Sequence, residues 1–188
     1  MNQPPDEMVG AALREVATWH ESDSTTPALA SLVRNWNKDS WVLIHRLLDV
    51  QTPQHRSLAL AILRGIDDQA SDETDGKPGL KDIVLGHLDA RYDPAVRWWA
   101  ISAVGYHAMV ESLPSLMTMA TDPSPIVRMG VASAVVSLVN QDNRVEVLTA
   151  LGELAGDSDA DVRDEAIGSL MELAGAYEYL GSDPENRS

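Results

Sequence analysis

Residues able to do chemistry are plentiful in this chain, but they are not assembled as chemistry needs them. The five histidines are His20, His45, His55, His87 and His107. None of them stands in His-Glu-x-x-His or His-x-x-x-His spacing, the patterns that put two metal ligands on one helix face. His20-Glu21 is a lone dyad, better suited to a surface or interface than to a metal. Carboxylate pairs such as Asp67-Asp68 and Asp164-Glu165 could serve acid–base work, but the chain holds 29 acidic residues and such pairs arise by chance. The run "SDETDG" lacks the twelve-residue ligand pattern of a calcium loop. There is no Gly-rich phosphate loop and no Gly-x-Ser-x-Gly elbow. With no cysteine, there is neither a disulfide framework nor a thiolate metal site. We therefore expect no catalytic residues, no metal and no cofactor.

Two features do have a pattern. One is the pair Trp98-Trp99, directly after an arginine. The other is the arginine itself, which recurs. "DPAVRWWAISAVGYHA", "SPIVRMGVASAVVSLV" and "DADVRDEAIGSLMELA" align on Val-Arg, and "TPQHRSLALAILRGID" is a weaker copy with His55 in place of valine. The marked arginines are Arg56, Arg97, Arg128 and Arg163, at separations of 41, 31 and 35 residues. The longest interval contains "DDQASDETDGKPG", 67–79, a polar and acidic insertion punctuated by Gly and Pro, hence a loop.

These residues must be positioned by helices. After each arginine, and in "SWVLIHRLLDV", "PGLKDIVLGHLDA", "ESLPSLMTMAT" and "NRVEVLTALGELAG", apolar residues recur in steps of three and four, the spacing of one buried helical face. Nothing alternates strictly enough to predict a strand. Asp93-Pro94, Ser124-Pro125 and Thr52-Pro53 place a capping side chain before a proline in the first turn, where no N–H is missed. Asp159 and Asp161 favour the last start through the helix dipole. A helix pair of this kind cannot bury its apolar face alone, so neighbours must stack. Residues 1–38 read as a further, capping pair.

The segments resemble HEAT repeats, specifically the short bacterial, bilin-lyase-like type marked by Asp-Pro-x-Val-Arg and small residues, over roughly 39–176. "DPAVRWWAISAVG" is the closest copy; "DPSPIVRMGVASAVV" and "DSDADVRDEAIGSL" carry small insertions before Val-Arg. The resemblance implies an all-α, right-handed α-solenoid of about five antiparallel helix pairs. It would form a single domain over 1–180, followed by a disordered tail at 181–188. It also implies a structural ladder of Asp and Arg between repeats, here Asp93, Arg97, Arg128, Asp159 and Arg163; Asp122 stands six residues before its arginine, not four. The second helix of each pair would line a concave surface. The positions that escape the core after Val-Arg are then Trp98 or Trp99, Ser102 and Tyr106; Met129, Ser133 and Ser137; Asp164, Glu165, Gly168 and Glu172; and Ser57, Leu58 and Ala61. Adjacent residues point about 100° apart on a helix, so only one of Trp98 and Trp99 can face outward. Trp19, Trp36 and Trp41 are expected in core or cap packing.

The formal net charge of −15 repels phosphate backbones and anionic lipid and attracts a basic partner. The expected function is a non-catalytic protein-binding scaffold or adaptor, cytoplasmic, binding neither nucleic acid nor membrane. The alternatives are an immunity or inhibitor protein covering a cationic toxin, and a bilin-lyase-like enzyme subunit. The HEAT-repeat hydroxylases need several His-Glu pairs and the HEAT-type DNA glycosylases need a basic rim; neither is present. "MNQPPDEM" lacks the basic and apolar regions of a signal peptide, and "GVASAVVSLV" is too short to span a bilayer.

Overall fold

A computed structural model describes residues 6–19, 26–37, 40–66 and 78–181. His20-Glu21, most of the acidic insertion and the tail beyond residue 181 lie outside the described residues. Among those described there are ten α-helices and no strand: α1 Asp6–Ala17, α2 Pro27–Arg34, α3 Ser40–Val50, α4 Pro53–Gly65, α5 Leu80–Gly86, α6 Pro94–Tyr106, α7 Leu113–Met119, α8 Pro125–Ala134, α9 Arg144–Leu154 and α10 Ala160–Gly181. Each odd-numbered helix packs on the next even one. The fold is all-α, built of sequential helix pairs consistent with a HEAT-like solenoid. Chain contacts divide it into two compact units, Met1–His107 and Ala108–Ser188. No helix among the described residues is long and apolar enough to cross a membrane.

In the first unit α4 is the hub. It packs against α1, α2, α3 and α6. Every residue from Ser57 to Leu63 is consequently buried. Burial of each large aliphatic side chain contributes about 1.5–3 kcal/mol, and here Leu58, Leu60, Ile62 and Leu63 are all but inaccessible. This overturns the expectation that Ser57, Leu58 and Ala61 escape the core. The N-terminal pair does not simply prolong the stack, because both α1 and α2 pack on α4.

The helix starts follow the capping logic, with two departures. Thr52 accepts from the His55 N–H and Asp93 from the Ala95 N–H at 2.9 Å. Ser124 makes no such side-chain bond; its own N–H instead donates to Asp122 at 2.9 Å, so the aspartate two residues earlier sets that turn. Thr26 makes none either. The Ala28 and Leu29 N–H groups donate to the Glu15 carboxylate of α1, at 3.0 and 2.9 Å. A carboxylate at a helix N-terminus satisfies orphan donors and complements the dipole, and here it also fixes α1 to α2.

The closest approach in the first unit is at Gly65, the last residue of α4. A Cβ placed there would meet the Val33 methyl carbons of α2 at 2.8 and 2.9 Å. Valine is stiff at χ1 and cannot swing away cheaply. Gly65→Ala is expected to destabilise the protein, the overpacking cost of about 1–3 kcal/mol exceeding the helix-propensity gain of about 1 kcal/mol. Adding Val33→Ala should reverse the sign of the Gly65→Ala effect. Thermal melts of the four proteins of this cycle decide it; Gly65→Ala stabilising the wild-type background would exclude the steric account.

Candidate functional site

Numbered from the marked arginine, the first, fifth and ninth following residues fall within an 80° arc of a helix. On α6 these are Trp98, Ser102 and Tyr106; on α8 and the 3-10 turn that continues it they are Met129, Ser133 and Ser137; on α10 they are Asp164, Gly168 and Glu172. Accessibility increases along the α6 and α8 rows, and the α10 row is exposed throughout. Trp98, Ser102 and Met129 are half-buried, whereas Tyr106, Ser133, Ser137, Asp164, Gly168 and Glu172 are exposed. Glu165 is half-buried at the margin. The equivalent row on α4, Ser57, Ala61 and Gly65, is covered by the N-terminal helices.

The two tryptophans divide as helix geometry requires. Trp99 is only 5 % exposed and belongs to the core, not to a binding surface. Trp98 does not stand free either. Its ring stacks on Trp19 with centroids 3.5 Å apart and planes 21° apart, while Trp99 meets both rings edge-on at 5.7 and 4.8 Å. Trp19, just beyond α1, thus covers much of the face that sequence reasoning offered to a partner. Tyr106 is 59 % exposed, with the Arg64 guanidinium 5.4 Å from its ring centroid. The next residue, His107, donates from Nε2 to the Leu63 carbonyl at 2.9 Å and ties α6 to α4.

In the second unit α8 and α10 pack directly against each other, and the buried Ser169 hydroxyl donates to the Ala132 carbonyl at 3.0 Å. Val162, Ala166, Ser169 and Leu173 line the buried side of α10. The opposite side exposes Asp164, Gly168 and Glu172 together with Ile167 and Met171, which are 46 % and 69 % exposed. Sequence reasoning missed Ile167 and Met171; the four-residue step between them on the unburied side of α10 is the signal that could have found them.

The arginine ladder also departs from expectation. Arg128 donates from Nε and Nη2 to both oxygens of Asp157, at 2.7 and 2.8 Å, and from Nη1 to the Asp122 carbonyl at 2.7 Å. Asp159, the expected rung, instead caps α10 by accepting from the Asp161 and Val162 N–H groups. Asp93 is likewise a cap. Arg163 donates to the Asp157 and Ser158 carbonyls at 2.8 and 3.0 Å. Arg97 is 5 % exposed, deep in the α6 packing. The clue to Asp157 lay in spacing. Asp122 and Asp157 each stand six residues before their arginine, and each accepts the N–H two residues on. The rung therefore comes from the first acidic residue of the turn. An open cleft of about 420 Å³ lies beside it, lined by Thr121, Asp122, Glu153 and Ser158 among others.

Residues 82–171 match the family model of HEAT repeats. No curated protein sequence and no solved structure matches the chain.

The hydrogen bonds from Arg128, joined by the one from the Asp159 N–H, hold the Asp157 carboxyl down at about 2. A carboxyl depressed in the folded state contributes stability above its unfolded value, and that contribution is lost as pH falls through the folded value. Asp157→Asn is expected to lower stability at neutral pH by about 2–3 kcal/mol. It should also shrink the loss of stability between about pH 4 and pH 2. Denaturant unfolding across that range checks both; an unchanged acid profile would show that the rung contributes nothing. At the tryptophans, Trp98→Ala should lower the melting temperature, and a Trp19–Trp98 double-mutant cycle should give a coupling of about 0.5–1.5 kcal/mol. Additive losses would mean that the stacked contact is energetically empty.

Proposed function

We propose that the protein is a non-catalytic protein-binding module that holds a basic partner on the exposed face of α10 in its second unit. HEAT repeats are generally protein-binding scaffolds, and residues 82–171 are of this type. The observation that carries the reading is the α10 surface. Ile167 and Met171 provide apolar contact area beside the acidic Asp164 and Glu172, with Ser133 exposed on the adjoining α8. Apolar anchors rimmed by charge are what a specific protein contact uses, and methionine adapts to a partner's shape. The net charge of −15 supplies the rest, because it speeds encounter with a cationic protein and disfavours anionic ones.

The test is affinity capture of the partner followed by reconstitution from purified components. Asp164→Lys with Glu172→Lys is expected to weaken binding about tenfold or more and to flatten its salt dependence. Met171→Asp should act through dissociation rather than association. A partner that binds both variants as tightly as wild type would remove α10 from the interface, and an acidic partner would overturn the electrostatic reading. If the captured partner is a cationic toxin, the module is its immunity protein. If it is a tetrapyrrole-bearing protein, the bilin-lyase-like reading takes over.

A further inference from the structure

Arg56 occupies in the first unit the repeat position that Arg128 occupies in the second. Arg128 reaches the residue that stands six before the following marked arginine, which is Asp157. Counting the same way from Arg97, the residue available to Arg56 is Arg91. The negative rung has been replaced by a positive side chain. Both guanidinium groups converge on one ring, that of Tyr92, with Arg56 5.1 Å and Arg91 4.9 Å from its centroid. Arg91 also donates from Nη2 to the Tyr92 hydroxyl at 3.3 Å. The His87 ring stacks on Tyr92 at 4.6 Å and 26°. Its Nδ1 lies 2.6 Å from the Ile83 carbonyl, which can only accept, so Nδ1 carries the proton and Nε2 is the other ring nitrogen.

The carboxylates nearest in sequence are engaged elsewhere. Asp89 accepts the Arg91 backbone N–H at 2.8 Å, and Asp93 caps α6. Among the described residues no carboxylate pairs with the Arg56 or Arg91 side chain. In a chain with 29 acidic and 14 basic residues, two guanidinium groups left to one aromatic ring are conspicuous. A cation over a tyrosine face gains about 0.5–1 kcal/mol at an exposed site, less than a bidentate carboxylate provides.

We propose that Arg56 and Arg91, beside the His87 ring, form an oxyanion site on the first unit, which takes a carboxylate or phosphate group from outside the chain in the place of the missing rung. Arg56 is half-buried and Arg91 exposed, so the site is open to solvent on one side and braced by Tyr92 on the other. The guanidinium N–H groups supply the parallel donors that carboxylate and phosphate oxygens accept. His87 supports this. Burial foremost, and then the fields of Arg56 and Arg91, lower its pKa against the opposing hydrogen bond to Ile83. A bound anion would relieve that field, so the imidazole reports occupancy. The site is separate from the α10 face, and its failure would leave the proposed partner surface untouched.

Titration with inorganic phosphate and with a hexaglutamate peptide, at low salt, tests the inference by calorimetry and by NMR of the His87 ring protons. Saturable binding with a shift of those protons is expected for at least one probe, and the tighter of the two identifies the source of the oxyanion. Arg56→Met and Arg91→Met should each weaken it about tenfold, while Arg14→Met on α1 should not. Arg91→Asp restores the carboxylate at the rung position. It is expected to abolish anion binding and to raise the melting temperature, which also guards against a variant that merely fails to fold. Absence of binding by both probes, or an Arg91→Asp protein that still binds them or melts lower, would overturn the proposal.

Discussion

A guanidinium that leaves water must be given donors' partners in return, and the marked arginine of each repeat imposes that demand on the turn that follows. Desolvating a charge costs several kcal/mol unless hydrogen bonds and opposite charge offset it. In the second unit the demand is met fully. Two bonds run from Arg128 to Asp157 and a third to the Asp122 carbonyl, so one side chain joins the turn inside its own pair to the turn inside the next. Arg163 repeats the carbonyl half of the arrangement at residues 157 and 158. The turn, the cap of α10 and the packing of α10 on α8 follow from one anchored cation.

The same demand is answered differently in the first unit, where Arg56 has the Tyr92 ring instead of a carboxylate. Order there comes from burial instead. α4 is surrounded by five helices, Glu15 caps α2, and Gly65 admits Val33 where a side chain would clash. A unit held mainly by apolar contact does not need its arginine neutralised, and that leaves the cation free for another use.

What a partner would meet depends on the same division. The exposed row exists wherever the even-numbered helix has a neighbour on its buried side alone. α10 meets this condition and displays Ile167 and Met171 next to carboxylates, whereas α4 does not, since α1 lies on it. Trp98 falls between, half-covered by Trp19. Aromatic surface that looks available in a single helix is thus partly consumed by the terminal pair, whose role is to close off an edge that stacking alone would leave apolar.

The Val-Arg register, the three-and-four periodicity and the proline starts are local properties, and from them the sequence alone determined the helix class and the pairing; of the row positions they marked, Tyr106, Ser133, Ser137 and Asp164 are exposed and Ser102 is half-buried. Burial of Trp99 beside half-exposed Trp98 was legible too, but only as an either-or, because 100° between neighbours says that they differ and not which is which. Asp157 against Asp159, and the loss of Ser57, Leu58 and Ala61 to the core, were decided by tertiary structure. Which of two aspartates in one turn reaches an arginine 29 or 31 residues back depends on where the turn points in space. Whether such a row stays open depends on the helices packed beside it, whose own amphipathic patterns specify a buried face but not the neighbour that buries it.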